Sequence, residues 1–396
     1  MYADNYNYYK EIFKGVQMPF AFVDMDLFNK NTEAIIKRAG NKKIRIASKS
    51  IRCVDLIKKI LSSDSIFQGI MCYHPLEAVW LSEQGFDDLL IAYPFYNSQQ
   101  IAAVCNEIKK GKLIVAMVDL PEHVQQLNRV AEQENCTIPV CMDIDMSSDF
   151  GHLHFGVRRS KITSVKLAEE LGTHIRNSKN VKLVGAMGYE AQIAGVADRT
   201  DSMAKNIVIP FLKKKSIKEI AKRRADIVKV LEGQGHTLQF VNGGGTGSVE
   251  TTITESCITE ITVGSGFYSP GLFDHYKQFH HLPAAAYAIE ITRNPSEFIY
   301  TCYGGGYTAS GSIEKNKLPK PYLPIAAQLI DTEGAGEVQT PIIYKGIEQL
   351  KLGDPVFMRH AKAGELCERF NSLLLVSESK IMDEVKTYRG EGKCFL

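Results

Sequence analysis

At 396 residues, the chain has room for two or three domains of roughly 150 residues each. It is 44% hydrophobic and 23% charged, a composition that supports a large buried core. Lys+Arg 47 against Asp+Glu 45 leaves a net charge of +2, which argues against a nucleic-acid surface and an acidic tail. No apolar run approaches the ~18 residues of a spanning helix. The polar, tyrosine-rich start, residues 1–10, has no signal-peptide character, so no membrane association is expected. Nine cysteines without a C-x-x-C pair read as reduced thiols, hence as a cytoplasmic protein.

In chain order, an apolar strand at 20–24 comes first. It has no partner among the strands that follow it, and it is expected to pair with the C-terminal part of the chain. Next, eight β-branched and apolar runs (44–50, 68–73, 88–94, 112–119, 138–146, 181–189, 238–245 and 260–268) alternate with segments of helical periodicity. The helix candidates are 54–62, 75–84, 98–110, 121–134 and 160–175, two of which open on a proline suited to a first turn. An insertion at 190–236 ends in a basic helix, 213–231, whose charges read as a solvated face. After 268 come short alternating runs at 284–293, 298–303, 325–331, 338–343, 355–359 and 373–376, separated by glycine and proline turns.

The expected fold is therefore a closed (β/α)8 TIM barrel over 27–272, followed by a mainly β domain. That domain is formed by 1–26 with 273–396. An open, doubly wound sheet is the alternative, but it more often stops at about five to seven strands.

A barrel carries its chemistry at the C-terminal ends of its strands. The first strand ends at Lys49, which is either a surface cap or, if desolvated at the mouth, an amine suited to a Schiff base. The seventh runs into Asn242, Gly243, Gly244, Gly245, Thr246, Gly247 and Ser248. The eighth ends in Gly264, Ser265 and Gly266. Paired glycine turns after strands seven and eight are the usual phosphate site of a barrel. There is no Walker loop, and the glycines come too late for a dinucleotide fold. A lysine on the first strand facing a phosphate site suggests pyridoxal 5′-phosphate. Asp143 and Asp145 read as structural acceptors at a strand end.

The segments FAFVD at 20–24, RIASKSIRC at 45–53, GYE at 188–190 and NGGGTGS at 242–248, in this order, resemble the fold-type III pyridoxal-phosphate enzymes related to alanine racemase. The branch they are most similar to is that of D-threonine aldolase and D-serine dehydratase. The resemblance implies that Lys49 holds the cofactor aldehyde as a Schiff base. It implies that Gly244, Gly245, Thr246 and Gly247, with Gly264 and Ser265, bind the phosphate. Tyr189 is either a ring neighbour with a catalytic role or a core aromatic. The implied reaction is lyase chemistry of the aldolase or deaminase/dehydratase type on a small D-amino acid, in a homodimer. A racemase and a non-catalytic cofactor carrier are the alternatives.

Two departures stand out. Relatives carry an arginine in an R-x-G-V turn where this chain has His154, which either partners the substrate or packs in place; Arg158 and Arg159 follow. The branch also pairs a C-terminal histidine with a cysteine or aspartate two residues later as ligands of a divalent metal, zinc or manganese. Here His360 is followed by Lys362, which is no ligand when protonated, and Cys367 or Glu365 is the only substitute donor nearby.

Overall fold

The structure is a computed structural model that describes residues 5–198, 203–311, 315–362 and 364–396. Residues 1–4 of the polar start and 199–202 of the insertion lie outside the described residues. The chain divides into two compact units, one formed by Ile36–Lys49, Lys59–Gly264 and Phe395–Leu396, the other by Met1–Ile35, Ser50–Lys58 and Ser265–Cys394.

Strand β1 (Phe20–Asp24) belongs to the second unit. The first unit is built on β2 (Lys43–Ala47), β3 (Phe67–Cys72), β4 (Leu89–Ile91), β5 (Ile114–Val118) and β6 (Ile138–Asp143). A small hairpin of β7 (Ser148–Phe150) and β8 (Leu153–Phe155) follows, and then β9 (Val181–Gly188), β10 (Phe240–Gly243) and β11 (Glu260–Val263). Without the hairpin, these strands close into a barrel in the order β10-β11-β2-β3-β4-β5-β6-β9. Every pairing is parallel, including the closing one of β9 with β10.

Strands covered on both faces become continuous apolar runs, as in the wholly buried IVAMV of β5. Alternation then sorts the side chains. Val115, Met117, Cys141, Val184 and Phe240 pack together in one cluster. Ala116, Val118, Val140 and Leu183 face the opposite way, against helical Val124, Leu127, Ile175 and Ile227.

Local sequence fixes the helices between the strands. Pro75 and Pro121 occupy first turns, where no amide hydrogen is needed. The Asn97 side chain accepts the Gln99 and Gln100 amides at 2.9 and 3.2 Å, capping Ser98–Lys109. The basic helix runs from Met203 to Gly233 and is not simply a solvated face. Lys213 and Arg224 are buried in it.

The second unit is a sheet-rich body. Its sheet contains β1, β12 (Ala285–Ser296), β13 (Ile299–Tyr303), β14 (Lys320–Leu323), β15 (Gln328–Leu329), β16 (Gln339–Ile343), β17 (Pro355–Arg359), β18 (Ser372–Ser377) and β19 (Lys380–Lys386). The N-terminal strand does join it: β1 lies antiparallel to β12, with Phe20 opposite Ala288, and parallel to β18, with Val23 opposite Leu375. An aromatic cluster of Tyr9, Phe13, Phe20, Phe22 and Phe357 packs against this strand. Buried Asp24 ends β1; it accepts the Tyr9 hydroxyl at 2.6 Å and caps the next helix through the Asp26 and Leu27 amides, both at 3.0 Å.

Candidate active site

Past Ala47, β2 tightens into a 3-10 turn, Ser48–Ser50, tied to its neighbour by the Ser48 hydroxyl on the Met71 carbonyl at 3.0 Å. The turn carries Lys49 outward, so the lysine is exposed rather than buried. Its Nζ lies 6.0 Å from the ring centroid of Tyr93, two residues past β4. The guanidinium of Arg159 lies 4.8 Å from the same ring. Both cations thus stand beside the Tyr93 phenol. Burial alone would raise that phenol, but Lys49 and Arg159 outweigh it and hold it below its ordinary value.

Arg159 is fixed from behind. It donates through Nε to Asp143 Oδ2 at 2.7 Å and through its terminal nitrogen to the Ala92 carbonyl. Asp143 ends β6, deeply buried. Burial pushes its carboxyl up to about 7 even though Arg159 pulls it down, with Asp119 and Asp145 adding to the rise. Its Oδ1 makes no hydrogen bond among the described residues.

Tyr189 follows β9, and burial pushes its phenol up to about 12, with Glu190 adding to the effect. Its ring closes over the glycine loop. A Cβ on Gly245 would lie 3.2 Å from Tyr189 Cε2 and 3.0 Å from Ala194 Cβ. Gly244 has φ +81°, a left-handed conformation that suits glycine.

Glu190 braces the loop. Its Oε2 accepts the Gly244 amide at 3.2 Å, and its Oε1 accepts the hydroxyls of Ser248 at 3.3 Å and of Thr252. The Gly245 amide goes to Ser248 Oγ at 3.1 Å. Arg224 neutralises this carboxylate, donating to Glu190 at 3.1 Å, to Glu255 at 2.5 Å and to the Gly188 carbonyl at 3.0 Å. One fully buried guanidinium thus lies between two carboxylates. Gly264 follows β11 and is the last residue of the barrel unit, and Ser265 opens the next short helix.

His154 belongs to the hairpin, where its Nδ1 pairs with Asp149 Oδ1 at 2.8 Å across the strands. Of the two arginines that follow, Arg159 reaches Tyr93 and Arg158 is exposed. Tyr93 and Arg224 are the residues that sequence reasoning passed over. Tyr93 lay inside an apolar run, and Arg224 was one basic residue among many.

The candidate metal donors lie in the second unit. His360 is buried against the Tyr268 ring, and burial with Arg359 nearby lowers its imidazole to about 3. The Cys367 thiol donates to the Ile51 carbonyl at 3.3 Å, and burial raises it. The Lys362 ammonium donates to Ser310 Oγ at 2.7 Å and pairs with Glu365 at 3.7 Å; Ala363, between them, lies outside the described residues. No group of three or more His, Cys, Asp and Glu side chains converges among the described residues. This donor set does not make a metal centre.

Comparison with known proteins agrees with the barrel. The 3-hydroxy-D-aspartate aldolase of Paracoccus denitrificans (strain Pd 1222) is 22% identical over 63% of this chain and 60% of its own. The D-threonine aldolase of Arthrobacter sp is 20% identical over 65% and 62%. The chain thus spans about three-fifths of the length of these relatives. In the solved structures, D-threonine aldolase from Filomicrobium marinum superposes with a TM-score of 0.80 at 16% identity, covering 95% of this chain and 96% of that one. The model of the alanine racemase N-terminal domain matches residues 23–269, and the chain belongs to that family.

Proposed function

We propose that the chain is a pyridoxal-phosphate-dependent lyase acting on small β-hydroxy-D-amino acids, by aldol cleavage or by loss of water. One observation carries this reading. Lys49, Tyr93, Arg159, Asp143, Tyr189 and the 244–247 loop all lie at the C-terminal ends of strands of a single barrel, where barrels do their chemistry. The names of the relatives supply the substrate class.

The residues present fit the cofactor. Lys49 offers an accessible amine for an aldehyde, and the loop after β10 offers glycine backbone that a Cβ would crowd. When bound, pyridoxal phosphate supplies an electron sink for a bond broken at Cα. The rest belongs to the protein. Glu190 and Arg224 hold the 244–248 backbone in one shape, with Thr246, Gly247, Gly264 and Ser265 assigned to the phosphate. Tyr189 covers the loop and excludes water from it. Arg159, held by Asp143, presents a fixed positive charge to a carboxylate substrate. Lys49, once released, is the base or acid at Cα. A homodimer and a cytoplasmic location are part of the same reading. Among the described residues, no helix is long and apolar enough to cross a membrane.

The test is an absorbance spectrum of the cofactor-loaded protein during titration with D- and L-threonine, serine and alanine. The expected result is a visible band that shifts with D-β-hydroxy substrates, with an aldehyde or keto acid as product. Lys49→Ala is expected to lose both the covalent band and turnover. Interconversion of enantiomers with neither product would assign a racemase. A band that no amino acid perturbs would assign a carrier.

A further inference from the structure

The lyase reading leaves one role unfilled. Aldol cleavage of a β-hydroxy-amino acid requires a base for the β-hydroxyl, and among the described residues the turn after β17 gathers no group of metal donors to generate one. Several groups on the barrel rim can be set aside. Asp143 is buried, and one of its oxygens is held by Arg159. His154 is turned to Asp149 in the hairpin. Tyr189 is pushed up by burial and by Glu190. Tyr93 differs from all three, being 42% exposed, with the Lys49 ammonium 6.0 Å and the Arg159 guanidinium 4.8 Å from its ring centroid. Arg159 also holds the carbonyl of Ala92, the residue before it, so the cation and the phenol are locked to one backbone segment.

We propose that Tyr93 is the acid–base group for the substrate β-hydroxyl, a role that rests on the lyase reading above. The step balances as one proton moved from oxygen to carbon. The phenolate oxygen takes the β-hydroxyl proton, and the O–H electron pair becomes the second bond of the product carbonyl. The Cα–Cβ bond breaks with its pair left on Cα. The proton then returns to Cα by way of the neighbouring Lys49 amine, which gives one proton to Cα and takes one from the Tyr93 hydroxyl. Arg159 keeps a positive charge beside the oxygen throughout. The groups facing Tyr93 are Lys49 from the turn after β2, Arg159 after the hairpin, Asp143 behind Arg159, and Tyr189 after β9.

The deciding variant is Tyr93→Phe in the full chain, which keeps the ring under both cations and removes only the hydroxyl. With D-threonine, kcat should fall roughly 100- to 10,000-fold, the usual range for a lost acid–base group, while KM and the bound-cofactor band change little. A second readout needs no turnover. In an ultraviolet pH titration of the cofactor-free protein, one of the 17 tyrosines should ionise before the others, and that early phase should vanish in Tyr93→Phe. Wild-type kcat in this variant, or an early phase that persists, would overturn the proposal. The two failures are distinguishable. A wild-type protein that takes up no cofactor sinks the lyase reading, whereas a normal cofactor band with undiminished cleavage in Tyr93→Phe sinks the role of Tyr93 alone.

Discussion

Asp143 sits buried in the barrel wall with one carboxylate oxygen paired and the other without a hydrogen-bond partner among the described residues. Its Oδ2 accepts from Arg159 at 2.7 Å while Oδ1 has no hydrogen bond among the described residues. Desolvation prevails over the guanidinium, and the carboxyl moves up from 3.8 to about 7. A carboxyl raised on folding binds a proton that the unfolded chain has already lost. Its contribution to stability is therefore complete below about pH 4 and disappears as pH rises to about 7. Asp143→Asn cannot titrate, yet its amide oxygen can still accept from Arg159. The variant should show a flatter dependence of Tm on pH between about 4 and 7 than the parent. Thermal unfolding of both proteins across that window checks this. Parallel curves would mean that the carboxyl stays ionised and that Arg159 outweighs burial. Reading Asp143 as a structural acceptor was sound as far as it went. What it accepts from was not visible, because Arg159 lies beyond a hairpin whose fold no periodicity announces.

The eight barrel strands were legible because burial on both faces leaves continuous apolar runs, and the helices between them because of their periodicity, two of them with a proline in the first turn. Elements outside those regimes were missed. The hairpin strands β7 and β8 are three residues each, β14 contains Pro321, and β19 is exposed along almost all its length, so none carries an alternating or apolar signature. Lys49 and the glycine loops stand out in the sequence because the proposed chemistry calls for those residue types. Tyr93 could not, since a tyrosine in an apolar run is ordinarily packing. One strand also hides an irregularity. β2 and β3 shift register between Ile44 and Ile46, and Gly69 sits opposite that shift with φ +60°. A Cβ there would meet Arg45 Nη1 at 2.4 Å and the Asp88 carbonyl at 2.5 Å. Gly69→Ala should therefore destabilise the protein by about 3 kcal/mol, combining a left-handed backbone with overpacking. Urea unfolding measures it, and a loss below about 1 kcal/mol would mean that the bulge relaxes freely.

At the scale of the whole molecule, the barrel separates its two ends by chemistry. The candidate catalytic groups all stand where strands finish. The opposite half of the lumen is filled by a salt-bridged layer rather than by aliphatic side chains alone. Arg45 of β2 donates to Glu260 at the start of β11, at 2.7 and 3.0 Å, and to Asp88 just before β4 at 2.8 Å. Gln68 of β3 and Asn242 of β10 donate to the same Glu260, at 3.1 and 2.8 Å. Five neighbouring segments of a closed sheet are thus joined through one carboxylate and one guanidinium, both with almost no exposure. Removing one member of such a pair strands the other as a buried charge, which costs about 3–5 kcal/mol. Arg45→Met and Glu260→Gln should each lower stability by that order. The double variant should cost clearly less than the sum, because neither charge is then left alone. In the folded fraction of each variant, the bound-cofactor spectrum and kcat should match the parent, since this layer supports the barrel from the end opposite the candidate site. A denaturant series on the four proteins, with activity measured below the transition, separates the outcomes. Additive losses would show that Asp88, Gln68 and Asn242 satisfy each partner independently. A fall in kcat without unfolding would show that the two ends of the barrel are coupled.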